Sequence, residues 1–131
     1  MSPKAACFSL SLLLASIGAA AAHHSTAAYD LEHRQTLQGT VKQVNWTNPH
    51  ITFLIEGDVK DGAQPVTWMF EVSSPGVLTR SGWTKRSLQP GDHAEFLYAP
   101  LRDGKPGGLL QKVTLPDGKE LSYSLTAPEE Q

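Results

Sequence analysis

The chain has 131 residues, 18% of them charged, and a formal net charge of −2, which leaves room for one domain and a leader. Thirteen Asp and Glu outnumber eleven Lys and Arg, a balance that speaks against nucleic acid as a partner, since phosphates select clustered cations. The only cysteine, Cys7, lies near the start, so the rest of the chain offers no disulfide, thiol nucleophile or thiolate ligand.

Residues 1–22 read as a signal peptide. Lys4 supplies the positive n-region, residues 5–19 are apolar or small around Leu12-Leu13-Leu14, and Ala20-Ala21-Ala22 offers the small residues that signal peptidase accepts. This apolar run is shorter than the roughly 20 residues of a spanning helix, so cleavage and a periplasmic or secreted location are expected. No later segment is apolar enough to span. Loss of the leader removes Lys4 alone among the charged residues and moves the net charge to −3.

Residues 23–35 form a polar N-terminal arm without periodicity, and residues 36–125 carry a β domain. In residues 36–46, Leu37, Val41 and Val44 share one face, with a slip in spacing that predicts a β-bulge. Thr47-Asn48-Pro49 is a turn signal. Residues 50–56 alternate, with Ile51, Phe53 and Ile55 inward and His50, Thr52 and Glu56 outward. After a polar loop over residues 57–65, residues 66–72 alternate again and are expected to bury Val66, Trp68, Phe70 and Val72.

Ser74 as N-cap, Pro75 at the first helical position and Gly82 as a stop predict a short helix, with Val77, Leu78 and Trp83 covering one end of the sheet. Pro90-Gly91-Asp92 predicts a type II turn. Residues 93–98 make a fourth strand with Ala94, Phe96 and Tyr98 on one side. Residues 102–108 read as a loop and residues 109–115 as a fifth strand. A turn over residues 116–119 leads to a short last strand at 120–124, and residues 126–131 form a loose tail. Three strands, a short helix and two strands is the order of a small OB-like five-stranded barrel. A plain β-sandwich or another small barrel is the competing architecture.

The combination His23-His24-Ser25, Tyr29-Asp30, Trp46-Thr47-Asn48-Pro49-His50, Ser74-Pro75, Gly82-Trp83 and Pro90-Gly91-Asp92 resembles a family of short exported bacterial proteins of unknown function. The resemblance spans nearly the whole chain after the leader. It implies an exported β-barrel-like domain of Gram-negative bacteria and brings no assigned activity.

The residues themselves point to metal. A cut after Ala22 makes His23 the first residue, and its α-amine and imidazole then form one chelate beside His24. A cut one or two residues earlier places His24 or His23 third, the arrangement in which intervening amides complete a square plane. Such nitrogen-rich sites suit Cu(II) and Ni(II), and copper stands highest in the affinity series. His50, outward after the Asn48-Pro49 turn, is the natural further ligand, with Asn48 as a candidate to orient its ring. Tyr29 and Asp30 lie close enough in sequence to fold over the same site. Against this stands the plainer reading, in which the terminal histidines keep the cleavage region polar and Asn48-Pro49-His50 only makes a turn. His33 lies in a solvated charged stretch, and His93 reads as structural.

Three classes of function follow. One is a periplasmic copper-binding protein using His23, His24 and His50. The second is a non-catalytic β module that recognises a protein or small ligand at the barrel mouth. The third, a copper enzyme, lacks any visible substrate platform. No glycine-rich phosphate loop, nucleophile elbow or paired carboxylates set up another chemistry.

Overall fold

The computed structural model describes residues 24–123. The expected leader, His23 and the tail at 126–131 lie outside the described residues, as does the His24 side chain. Five strands form a closed barrel: β1 (Gln35–Asn45), β2 (Thr52–Gly57), β3 (Thr67–Glu71), β4 (His93–Pro100) and β5 (Gly107–Thr114). A short strand, β6 (Glu120–Ser122), pairs with the outer end of β5. The helical turn α1 (His24–Ala27) precedes the barrel, and the helix α2 (Pro75–Arg80) sits between β3 and β4.

Strand β1 is long because it serves two neighbours. Its first half pairs with β4, from Gln35↔Tyr98 to Thr40↔His93, and its second half pairs with β2, from Gly39↔Gly57 to Asn45↔Thr52. The register with β2 shifts between Val41 and Gln43, so the predicted bulge is present, with Lys42 as the extra residue. That bulge curls the sheet by adding local twist. Closure comes from a parallel pairing of β3 with β5, Phe70 opposite Gly108. The ladder therefore runs β3-β2-β1-β4-β5 and returns to β3, the connectivity expected of an OB-like barrel.

Alternation fills the interior. Ile51, Phe53, Ile55, Phe70, Phe96, Leu110 and Val113 are almost fully enclosed. Phe70 lies at the centre, with its ring centroid 4.7 Å from Tyr98 and 5.8 Å from Phe96. Helix α2 starts as its sequence demands: the Ser74 hydroxyl accepts from the Val77 N–H at 3.3 Å, and Pro75 follows. Leu78, Trp83 and Leu88 anchor the helix and the loop after it to the core. Gly91 has φ +96, the left-handed value the predicted turn needs at that position.

Three expectations are corrected. Val66 is 46% exposed, because β3 begins at Thr67 and Val66 still belongs to the loop that precedes it. Trp68 is only partly buried, at the rim of the core, whereas Trp83 is 1% exposed. Finally, Gly107 and Gly108 are strand residues, not loop, since β5 must start early enough to reach β3.

Candidate functional site

The arm is a strap across the outside of the barrel. Tyr29 forms a β-bridge with Leu101, the Asp30 N–H donates to the Pro100 carbonyl at 2.8 Å, and the Arg102 N–H donates to the Ala28 carbonyl at 2.9 Å. Ala99 and Leu109 point outward, opposite in sense to the inward Tyr98 and Leu110. Tyr29 covers them together with Leu101 and is itself 7% exposed. Burying an aromatic ring on two aliphatic residues gives this strap a hydrophobic anchor as well as its backbone bonds.

Alternation along β3 sends Phe70 into the core and Glu71 to the outer face, beside that anchor. The Tyr29 hydroxyl donates to Glu71 Oε2 at 3.2 Å. From the other side, His50 Nδ1 lies 2.8 Å from Glu71 Oε1. His50 is held there because Ile51, the next residue, is clamped to the end of β3: its N–H donates to the Ser73 carbonyl and its carbonyl accepts from the Val72 N–H. One carboxylate thus joins the strap to the loop between β1 and β2. This face, between the β1–β2 and β4–β5 loops and over β3, is where OB-folds take their ligands.

The His50–Glu71 contact is an ion pair whenever the His50 ring is protonated. The His50 side chain is 42% exposed, so part of the ring stays within reach of a ligand from solvent.

The remaining described histidines are placed differently. His33 Nδ1 lies 2.8 Å from Asp30 Oδ2, three residues away, and its side chain is 77% exposed. That local hydrogen bond is the main reason the Asp30 carboxyl lies below the usual carboxylate range. His93 Nε2 lies 2.8 Å from Asp58 Oδ2, at the far end of β2 from His50. Eight residues of largely extended chain separate position 50 from position 58, roughly 25 Å. His33 and His93 therefore take no part in the Glu71 cluster.

Glu71 was not among the residues the sequence singled out. Its only signal was a lone carboxylate on the outer face of a strand that is otherwise uncharged. Asn48, expected to orient the His50 ring, is exposed, and the charged group beside that ring is Glu71. The Tyr29 expectation fares better, since that residue folds over the same place. Among the described residues no group of three or more His, Cys, Asp or Glu stands ready to hold a metal ion, so a complete metal centre here needs donors from residues 23 and 24.

The phenols record how closely the strap is packed. Burial, reinforced by the Glu71 charge and the hydrogen bond to it, pushes the Tyr29 hydroxyl up to about 12. Burial raises Tyr98 as well, and burial with the charge of Glu71 raises Tyr123. Tyr123 also donates to the Leu110 carbonyl at 2.6 Å. These are all three tyrosines of the chain. An unfolded tyrosine ionises near pH 10, so above that pH the unfolded state loses protons that the folded state keeps, and stability falls. Titration followed at 295 nm should show no reversible phenolate step near pH 10, and the absorbance should rise only as circular dichroism reports unfolding. A step near pH 10 in the folded protein that disappears in Tyr29→Phe would mean that Tyr29 is not docked.

Among the described residues no helix is long and apolar enough to cross a membrane. Residues 11–112 match a family of unknown function (DUF6152). No curated protein and no solved structure matches the chain significantly.

Proposed function

Because the chain belongs to this family of unknown function, no relative supplies a chemistry, and we propose from its own residues that it is an exported copper-binding protein. The ligands are the amine and imidazole of His23, exposed by removal of the leader, with His50 Nε2 and His24 as the further nitrogens. The observation that carries this reading is that Tyr29 and His50 grip the same Glu71 carboxylate. Six residue steps separate His23 from Tyr29, at most about 22 Å of chain, so the anchor keeps the new N-terminus within reach of the His50 rim. An amine with two or three imidazoles is a donor set that favours Cu(II) among the divalent ions.

The test uses protein purified from the periplasm, with its first residue established by mass spectrometry and Cu(II) added alone. One equivalent should bind with the spectrum of a nitrogen-rich tetragonal site. Acetylating the amine should remove tight binding, and His50→Ala should weaken it by tenfold or more. If acetylation abolishes binding while His50→Ala changes nothing, the site is a free terminal chelate without the barrel. If neither matters, copper is excluded. The rim between the β1–β2 and β4–β5 loops is then a docking site for a protein or small ligand.

A further inference from the structure

We propose that Asp61 is a site of spontaneous backbone modification, at which the glycine that follows converts aspartate to isoaspartate. Three of the six aspartates precede a glycine, at Asp61-Gly62, Asp103-Gly104 and Asp117-Gly118, and no asparagine does. The chemistry open to them is the same. The glycine nitrogen attacks the carboxyl carbon of the aspartic acid. An N–Cγ bond forms, the Cγ–OH bond breaks, and the proton of the nitrogen leaves with that hydroxyl as water. Water then opens the cyclic imide. Opening at Cγ restores aspartate, whereas opening at the backbone carbonyl carbon leaves a chain that runs through Cβ and carries a free α-carboxylate. No side chain crowds the nitrogen of a glycine, and the space around each missing Cβ is open at all three places. All six residues are exposed as well. Sequence and exposure do not choose among the three sites.

The turns do. At Asp103 and Asp117 the aspartate is the third residue of a β-turn and the glycine the fourth, so the glycine N–H closes the turn. The Gly104 N–H donates to the Leu101 carbonyl at 3.2 Å, and the Gly118 N–H donates to the Leu115 carbonyl at 2.9 Å. Each carboxylate is held too. Asp103 Oδ1 accepts from the Lys105 N–H at 3.0 Å, and Asp117 Oδ1 accepts from the Lys119 N–H at 2.9 Å. Both reacting groups are engaged there, and each carboxylate is turned toward the residue beyond the glycine. In the loop between β2 and β3 the frame is shifted by one. The turn runs from Lys60 to Ala63, closed by the Ala63 N–H on the Lys60 carbonyl at 3.1 Å, and Asp61 and Gly62 are its two central residues. Among the described residues, neither the Gly62 N–H nor the Asp61 carboxylate makes a hydrogen bond. The backbone angle φ is 32 at Asp61 and 76 at Gly62, and Asp61 is the only described residue other than glycine in this left-handed region. Nucleophile and carboxyl are thus both free, on a backbone that is already strained.

The test keeps the folded protein warm in mildly acidic buffer for weeks and locates isoaspartate by electron-transfer fragmentation of its peptides. Product should form at Asp61 about tenfold faster than at Asp103 or Asp117, where hydrogen bonds must open before the attack. In concentrated urea the three rates should draw within about threefold of one another, because the turns that separate them are gone. Asp61→Asn gives a second readout through the same imide, with ammonia as the leaving group. It should gain one mass unit at position 61 faster than the wild type forms isoaspartate there. Asp61→Glu, which needs a larger ring, should stay unmodified at that position. Equal rates at the three sites in the folded protein, or product at Asp61 in urea alone, overturns the proposal.

Discussion

Gly108→Ala is expected to leave little folded protein. A Cβ at that position would stand 2.6 Å from Tyr98 Cδ2 and closer still to the Ala99 carbonyl oxygen, both on β4. Its neighbour Gly107 meets β3 in the same way, where a Cβ would lie 2.5 Å from the Met69 carbonyl oxygen. Here β5 leaves β4 and joins β3, so the two glycines sit at the closure of the barrel. Alanine would gain about 0.5–1 kcal/mol from its smaller loss of chain entropy in a strand. The clash works against that, because the obstacles are the backbone of a paired strand and a buried ring, not the ends of flexible side chains. Overpacking of a well-filled interior costs about 1–3 kcal/mol and sometimes more, and an unyielding wall belongs at or above the upper figure. That is a large part of the roughly 5–15 kcal/mol that holds a small domain together. Gly104→Ala is the control. Gly104 has φ +77 and open space around its missing Cβ, so only backbone strain of about 1–2 kcal/mol applies. Urea unfolding should separate the two variants clearly. Equal midpoints would mean that β5 does not approach β4 at Gly108 as described.

The same two glycines show where the sequence stopped being readable. Alternation located the inward faces of β2 and β4, the phase slip in β1 located its bulge, and Ser74-Pro75 located the start of α2. All of these are local signals, written in the period of one element or in the chemistry of one cap. Gly107-Gly108 carries the local signal of a loop, and only the strand thirty-eight residues earlier makes it part of a sheet. Val66 errs in the other direction: it continues an alternating pattern and its carbonyl accepts from the Gly57 N–H, but its side chain stays exposed.

The candidate site divides along the same line. His50 was readable because it follows a rigid turn and faces outward on an alternating strand. Tyr29 was readable only as a neighbour in sequence. Glu71, which joins the two, could not be read at all, since its role exists only once the strap crosses β5 and the β1–β2 loop folds back to β3. A polar partner of this kind leaves no periodic trace. The wrong choice of Asn48 has the same origin, because proximity along the chain stood in for proximity in space.

Trp83→Ala should be the most damaging single change of a large side chain, and it reverses the weight that alternation along β3 put on Trp68. Trp83 follows the end of α2 in a segment with no strand period to mark it, yet it is 1% exposed, and its ring lies 6.4 Å from that of Phe53. Its indole N–H donates to the Ser122 carbonyl at 2.9 Å, which ties the helix segment to β6. Removal leaves a cavity that the closed barrel cannot collapse, worth about 3–5 kcal/mol. It also leaves a part-buried carbonyl without its donor, a further cost of about 1 kcal/mol. Trp68 has the same ring but sits at the rim, where it meets Tyr98 edge-on at 5.7 Å and keeps part of its surface in water. Trp68→Ala should therefore cost about 2 kcal/mol, a partial burial term plus one aromatic pair. Trp83→Phe should fall between, because it keeps most of the filled volume and loses the hydrogen bond. Midpoints of urea unfolding at equal slope give the order directly. If Trp68→Ala proves as costly as Trp83→Ala, then the Trp68 ring lies as deep in the core as that of Phe70, with which it shares a face of β3, and not at the rim.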